Sequence, residues 1–381
     1  MMNFEFNQEH RIFKETIARF AQKEVAALVA QSEGQGCCPR ELIEEGAKLG
    51  FTGTPYPDKY GGCGPDMIAT CLVVEGISKV SASLGLAFLI QNSVGTAPIY
   101  YFGSEPLKQK YLAAAIRGEK VAAFALTEPG VGSDAASITC RAVRDGDHYI
   151  MNGTKMFISN SHISDFMVVA VRTDKDAPRG KGLTLLLVDR NDSPYVTYPL
   201  KKLGLHGLDT SEVVFEECRI PAENRIGEEG KGFQYLLHTL LSSRIVAGAA
   251  GLGVARAAFE AAVGYVQERV QFGRKLAEFQ AIRHKLTDMC IETELAETMV
   301  YKAAWLFSQG RECDKEASIC KVFASEVANR NAAEAVQIFG GYGYMQEYPV
   351  ERYFRDAKAI MIFEGTSEIQ RNVLAKLILA G

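Results

Sequence analysis

Phe124-Ala125-Leu126-Thr127-Glu128-Pro129-Gly130-Val131-Gly132-Ser133-Asp134 stands where the chain changes its period. Upstream, apolar residues recur at helical spacing; after Lys120 the alternation becomes that of strands. Val143, His148 to Met151, Phe166 to Val171 and Thr184 to Val188 read as strands, with Asp145-Gly146 and Asn152-Gly153 as hairpin turns. Together they define a compact β domain that reaches about Ile226. The glycines and hydroxyls of the quoted stretch expose backbone donors and side-chain oxygens, a combination that can hold an anion or the edge of a heteroaromatic ring. A glycine-rich loop by itself is more often only a turn.

Before this domain, Phe13, Ile17, Phe20 and Val25 describe an amphipathic helix from about Asn7, and Leu42, Ile43 and Leu49 supply its partner. Asp66 can cap a further helix through Ile68, Leu72, Val73 and Ile77, and Pro55 to Gly62 is a loop by its proline and glycine content. From Ser83 to Phe102 the pattern is apolar nearly all round, which predicts one buried helix, with Gln91, Asn92, Ser93 and Thr96 as polar exceptions; another helix starts at Ser104-Glu105-Pro106 and ends near Gly118. After the β domain, Gly232 to about Arg269 predicts a helix of roughly 35 residues, some 50 Å long. Two more follow, about Ala277 to Gln309 and Asp314 to Phe339, so a helical bundle is expected. The fold class is therefore mainly α with a central β domain, divided at 1–122, 123–228 and 229–381.

Near the C-terminus, Ala359-Ile360-Met361-Ile362-Phe363 precedes Glu364-Gly365-Thr366-Ser367-Glu368. A carboxylate at a helix break facing an apolar pocket would have its pKa raised towards neutrality, as a general base requires, and Gly365 would let a ligand approach the backbone. The alternative is a helix start, with Thr366 as N-cap and Glu364 complementing the helix dipole.

Composition limits the remaining classes. The chain has 381 residues, 47% hydrophobic and 23% charged, which excludes disordered and collagen-like proteins. A net charge of -4 offers no basic field for nucleic acid or anionic lipid. Nine scattered cysteines, with Cys37-Cys38 the only adjacent pair, read as reduced thiols of an intracellular protein. Six histidines show no metal-ligand spacing, so no metal is expected. Met1-Met2-Asn3-Phe4-Glu5-Phe6 carries no basic leader, and the uninterrupted apolar stretch near Leu84 to Ile90 is too short to span a membrane.

The segment around Glu364 resembles the C-terminal catalytic block of the acyl-CoA dehydrogenases, and Thr127 to Asp134, as Thr-Glu-Pro-x-x-Gly-Ser-Asp, resembles that family's flavin loop. Asn152 to Asn160, Lys202 to Thr210, Phe215 to Gly227, Arg269 to Gly273 and Gln337 to Tyr344 resemble further family blocks, so the likeness runs over essentially the whole chain. It implies a helical N-terminal domain, a β-barrel-like middle domain and a C-terminal four-helix bundle. It also implies FAD, held by Phe124, Leu126, Thr127, Ser133, Phe157 and Ser159 around the ring, with Arg269, Gln271, Phe272, Gln280, Gln337, Gly341, Thr366 and Glu368 elsewhere on the cofactor. Ser133, Arg244 and Gly365 would meet the acyl-CoA, while Gln91, Asn92 and Thr96, with Tyr344, would close the acyl pocket unless they only bond neighbouring helices.

In the implied reaction Glu364 removes the α-proton, the β-hydride goes to flavin N5, and the Glu364 N-H and a ribityl hydroxyl polarise the thioester oxygen. Electrons then pass to an electron-transferring flavoprotein, in a homotetramer built as a dimer of dimers whose blocks complete each other's FAD sites. Fatty acid β-oxidation, in the cytoplasm or, for a processed chain, the mitochondrial matrix, is the implied setting. Departures from the family pattern are Phe157 and Ser159 where many relatives have Trp and Thr, and Leu241 where several have an acid. Ser243 stands where isovaleryl and some long-chain relatives carry their base, so Glu364 alone can serve. Short acyl chains are expected, with branched or cyclic thioesters next. An enoyl-CoA reductase would use the same residues in reverse. An oxidase is disfavoured by length, and a glutaryl-type enzyme by the absence of a cation over Ser83 to Ala87; a non-catalytic acyl-CoA-binding relative would lack Glu364.

Overall fold

A computed structural model describes residues 5–379, so the Met1 to Phe4 part of the N-terminal reading lies outside the described residues. Helix α1 (Gln8–Phe20) starts where the Asn7 side chain accepts from the His10 N-H, and continues through a π-helical turn into α2 (Ala26–Gln35). α3 (Arg40–Lys48) follows, and α4 (Met67–Val80) begins at Asp66, whose carboxylate accepts from the Ala69 N-H as the sequence predicts.

The single buried helix expected over 83–102 is two: α5 (Ala82–Asn92) and α6 (Ala97–Phe102). Close packing explains the break. A Cβ at Gly95 would meet the Ala122 Cβ at 2.7 Å and the Ile90 carbonyl at 2.9 Å, and Pro98 suits a helix start better than an interior. α7 (Glu105–Leu107) and α8 (Ala113–Ile116) flank a π-helical segment in the position where one helix was read.

The middle region contains β1 (Ala122–Ala125), β2 (Arg141–Asp145), β3 (His148–Ser159), β4 (Phe166–Arg172), β5 (Leu183–Asp189), β6 (Val196–Pro199), β7 (Thr210–Pro221) and β8 (Arg225–Ile226). They form an eight-stranded sheet in the order β6-β7-β3-β2-β4-β5-β8, with β1 parallel to β4. Asp145-Gly146 does turn the β2–β3 hairpin, where Asp145 pairs with His148. Asn152-Gly153 does not turn the chain: it lies inside β3 at a register shift, and Gly153 is needed because a Cβ there would meet the Cys140 Sγ at 2.7 Å. Ala123, Met151, Val169, Leu186 and Phe215 converge on one interior cluster, so the sheet curls in a barrel-like way around it. The opposite faces of β4 and β5, through Val168, Leu185 and Leu187, pack on Leu107, Tyr111 and Leu236.

The last third is α9 (Gly232–Glu268), a hairpin of β9 (Val270–Gln271) and β10 (Arg274–Lys275), then α10 (Gln280–Ser308), α11 (Asp314–Phe339), α12 (Val350–Ile360) and α13 (Ser367–Leu379). α9 is the axis of the molecule, packing on α4, α10, α11 and α12. Two of its glycines set the spacing: a Cβ at Gly251 would meet the Ala324 carbonyl at 2.9 Å on α11, and one at Gly253 the Glu75 carbonyl at 2.4 Å on α4. By length and hydropathy α9 could cross a membrane, a match the sequence reading overlooked, but 78% of that window is buried inside the protein. It reads as a core helix.

Candidate active site

Glu364 lies in the link between α12 and α13, with φ of +54° followed by +86° at Gly365. A left-handed conformation at a residue with a side chain costs about 1–3 kcal/mol and persists only where its surroundings impose it. Here α12 ends with the Ala359 carbonyl accepting from the Ile362 and Phe363 N-H groups, and the Met361 carbonyl accepts from Ser367 N-H at 3.0 Å. Thr366 then caps α13 by accepting from Ile369 N-H at 3.2 Å. Both sequence readings are therefore present together: a capped helix, and a carboxylate set in the break before it.

The Ser243 hydroxyl of α9 donates to Glu364 Oε2 at 2.7 Å. Beside it, Arg244 is 8% exposed, its Nε has no partner, and no carboxylate lies within 4.0 Å of it among the described residues. The structural salt bridge that would have explained this arginine is thus missing. Burial pushes the Glu364 carboxyl above its ordinary pKa, while the Ser243 bond and the Arg244 and Lys321 charges pull against that shift. Among the described residues no acceptor takes the Glu364 N-H and no donor reaches Oε1.

The glycine-rich loop is pinned from below. Buried Lys155 donates to the Leu126 carbonyl at 2.9 Å and to Glu128 Oε1 at 2.8 Å. Glu128 also accepts from Thr139 N-H at 2.7 Å and Cys140 N-H at 2.9 Å, and Met156 N-H donates to the Thr127 carbonyl at 2.8 Å. Burial opposes the Glu128 charge, but Lys155 and the backbone donors prevail and hold its pKa below the usual carboxylate range. On β3 the register slips between Lys155 and Ile158, and this bulge turns Phe157 outwards at φ +61° with 66% of its surface exposed. Ser159 lies beside Thr210, their hydroxyls 3.3 Å apart, and Phe124 is partly buried in the sheet. Ser133 is exposed on the loop.

A second group gathers at the end of the bundle. Arg269, Gln271 and Gly341 line a hollow of about 420 Å³ with Tyr265, Phe339 and Tyr342, and the Arg269 guanidinium is 5.3 Å from the Tyr342 ring centre. Phe272-Gly273 is the turn of the β9–β10 hairpin, both residues at positive φ, leaving Phe272 93% exposed. Gln280 opens α10, Gln337 lies in the last turn of α11, and Glu368 in the first turn of α13.

Of the two readings left open for the polar residues of the buried helix, Gln91 and Thr96 follow the hydrogen-bonding one. Gln91 donates to the Ala115 and Lys120 carbonyls and accepts from Ala122 N-H, so its carboxamide is spent joining α5 to α8 and β1. Thr96 donates to the Gln91 carbonyl and meets the Tyr56 hydroxyl at 2.6 Å. Asn92 donates to the Phe51 carbonyl, has no partner for Oδ1, and borders a cavity of about 400 Å³ with Leu241, His238 and Arg311. Tyr344 is 79% exposed in the turn after α11. Sequence reasoning also missed Lys321 and Gln370, which grip the Glu364 link from beneath. The signal for Lys321 was present, since it shares a helical face with Ala317, Ala324 and Ala328.

The exposed Phe157 ring, the glycine-rich loop and the hollow beside Arg269 fit FAD, and Glu364 adds a carboxylate held in a strained break, features in keeping with a flavin-dependent oxidoreductase. Comparison with known proteins gives the same class. Family models described as the N-terminal, middle and C-terminal domains of acyl-CoA dehydrogenase match residues 7–119, 123–218 and 230–379. The chain is 42% identical to "Probable acyl-CoA dehydrogenase YngJ" of Bacillus subtilis, covering 99% of this chain and all of that one. It is 39% identical to a "3-(aryl)acrylate reductase" of Clostridium sporogenes, over 98% and 99% of the two chains. Among solved structures, butyryl-CoA dehydrogenase from Megasphaera elsdenii matches with a TM-score of 0.96 at 39% identity, over 99% of this chain and 100% of that one. A structure described as an electron transferring flavoprotein of Acidaminococcus fermentans matches at 0.97 and 40%, over the full length of both chains. The chain belongs to the acyl-CoA dehydrogenase family.

Proposed function

We propose that this protein oxidises a short-chain acyl-CoA thioester to the 2-enoyl-CoA, with Glu364 as the base. The observation that carries the proposal is the Glu364 carboxylate itself: held through Oε2 by Ser243 and set in a strained break, with Oε1 and the Glu364 N-H both unpartnered among the described residues. Oε1 takes the α-proton as the C-H bond breaks, and the electrons left on the α-carbon form the double bond as the β-hydrogen leaves with its pair. FAD, when bound, supplies the acceptor for that hydride. The Glu364 N-H donates to the thioester oxygen, where negative charge develops as the α-proton is lost. Phe157 and the Thr127 loop would orient the ring of this chain's FAD, Arg269 and Gln271 would hold the phosphate and adenosine side of a neighbouring subunit's FAD, and buried Arg244 offers a charge to the CoA arm.

The finer assignments belong to the same proposal: a homotetramer, an electron-transferring flavoprotein as acceptor, and fatty acid β-oxidation in the cytoplasm or mitochondrial matrix. The likeness to the Acidaminococcus structure supports the second. The reductase direction is the second reading, favoured by the Clostridium relative's name. Glu364→Gln tests the assignment: the variant is expected to retain FAD and lose at least about a hundredfold in turnover, the scale of one general base. Wild-type turnover would refute it.

A further inference from the structure

Lys321 is the feature the mechanism leaves unused. It is fully buried on α11, with Nζ donating to the Gly365 carbonyl at 2.6 Å and the Met361 carbonyl at 3.3 Å. No carboxylate lies within 4.0 Å of it among the described residues, so this buried cation is held by carbonyls alone. A burial so costly needs a reason, because a methionine of similar length would fill the same space without a charge. The other grip on the link is neutral: Gln370 Nε2 donates to the Glu364 carbonyl at 2.9 Å. The consecutive left-handed residues thus have each of their carbonyls fixed by a side chain, one charged and one neutral. Around Lys321 the ionisable groups are Glu364 of the link, Arg244 of α9, Glu326 of its own helix and Glu368 of α13.

We propose that Lys321 is the positioning residue of the base: its Nζ locks the left-handed turn at Glu364-Gly365 through two backbone carbonyls and sets a positive charge beside the link. The inference rests on the assignment of Glu364 as base. Gln370 shares the first task and cannot share the second.

The test is a pair of variants of the full FAD-loaded enzyme, Lys321→Met and Gln370→Met, each assayed for kcat, KM, pH profile, thermal midpoint and bound FAD. Both should lose about tenfold to a hundredfold in kcat with KM changed less, as a displaced catalytic group requires. Only Lys321→Met should move the acidic limb of the profile, and to higher pH, because removing a cation makes the carboxylate harder to ionise. A lysine that served only packing would lower the thermal midpoint and FAD content and leave the limb in place, which overturns the proposal, as does an unchanged kcat. Should Lys321→Met not fold, Lys321→Gln removes the charge with one donor kept, and an unmoved limb there is equally decisive. Glu364→Gln separates the two claims: if it is active, the base assignment fails; if it is inactive and Lys321→Met behaves as wild type, only the role of Lys321 fails.

Discussion

Ser243 and Glu364 come from distant parts of the chain, and their 2.7 Å hydrogen bond sets how the carboxylate waits for its substrate. A donor to the charged form favours ionisation, against a burial that opposes it. Replacing Ser243 by alanine should therefore raise the pKa of the base and shift the acidic limb of the activity profile to higher pH, with FAD content retained; a limb that stays, or moves to lower pH, contradicts this. Much at this scale was readable in advance. The apolar run before Glu364 and the glycine after it marked a carboxylate in a break, because both cues are local. Lys321 was not found: its place on an otherwise apolar helical face signals a buried cation, but not the carbonyls that the cation meets. Gln91 and Thr96 stayed open between the pocket and neighbouring helices for a related reason. A polar residue in a buried helix announces a hydrogen bond but not its partner, and here the partners are backbone groups.

Between elements, α12, which leads into the link that carries Glu364, is tied to the loop before β7 by Leu205 N-H donating to Asp356 Oδ1 at 2.6 Å, and Gly204 is needed there because a Cβ would meet the Arg355 carbonyl at 2.4 Å. Burial pushes the Asp356 carboxyl up to about 6, despite the Leu205 bond and the Arg355 and Arg352 charges. Since the folded value lies above that of the unfolded chain, about 3.9, this group's stabilising contribution is complete below the unfolded value and is lost as pH rises through the folded one. Asp356→Asn keeps an acceptor and removes the titration. Its thermal midpoint should gain on wild type between pH 4 and pH 7, and a difference independent of pH would contradict the assignment. Element boundaries were legible where caps or turns have local chemistry, as at Asn7, Asp66 and Asp145-Gly146. They failed at Gly95 and Gly153, where glycine answers to a close neighbour far away in sequence rather than to a turn.

At the scale of the whole molecule, α9 organises the rest: α4, α10, α11 and α12 pack on it, and it carries Ser243 and Arg244 to the link that holds Glu364. Period alone foretold helices before and after a β domain, and the quoted motifs foretold which family arranges them so. It could not foretell β6, a four-residue strand that exposes Val196 and Tyr198 and pairs only with β7. The central claim is that this arrangement moves a proton to Glu364 and a hydride to FAD. Anaerobic mixing of the FAD-loaded protein with butyryl-, octanoyl-, isobutyryl-, glutaryl- and cyclohexanecarboxyl-CoA tests it most directly, with flavin absorbance as the readout. Rapid bleaching by butyryl-CoA, abolished in Glu364→Gln, is the predicted result. Flavin that stays oxidised with every thioester, or bleaches equally in the variant, would contradict the account.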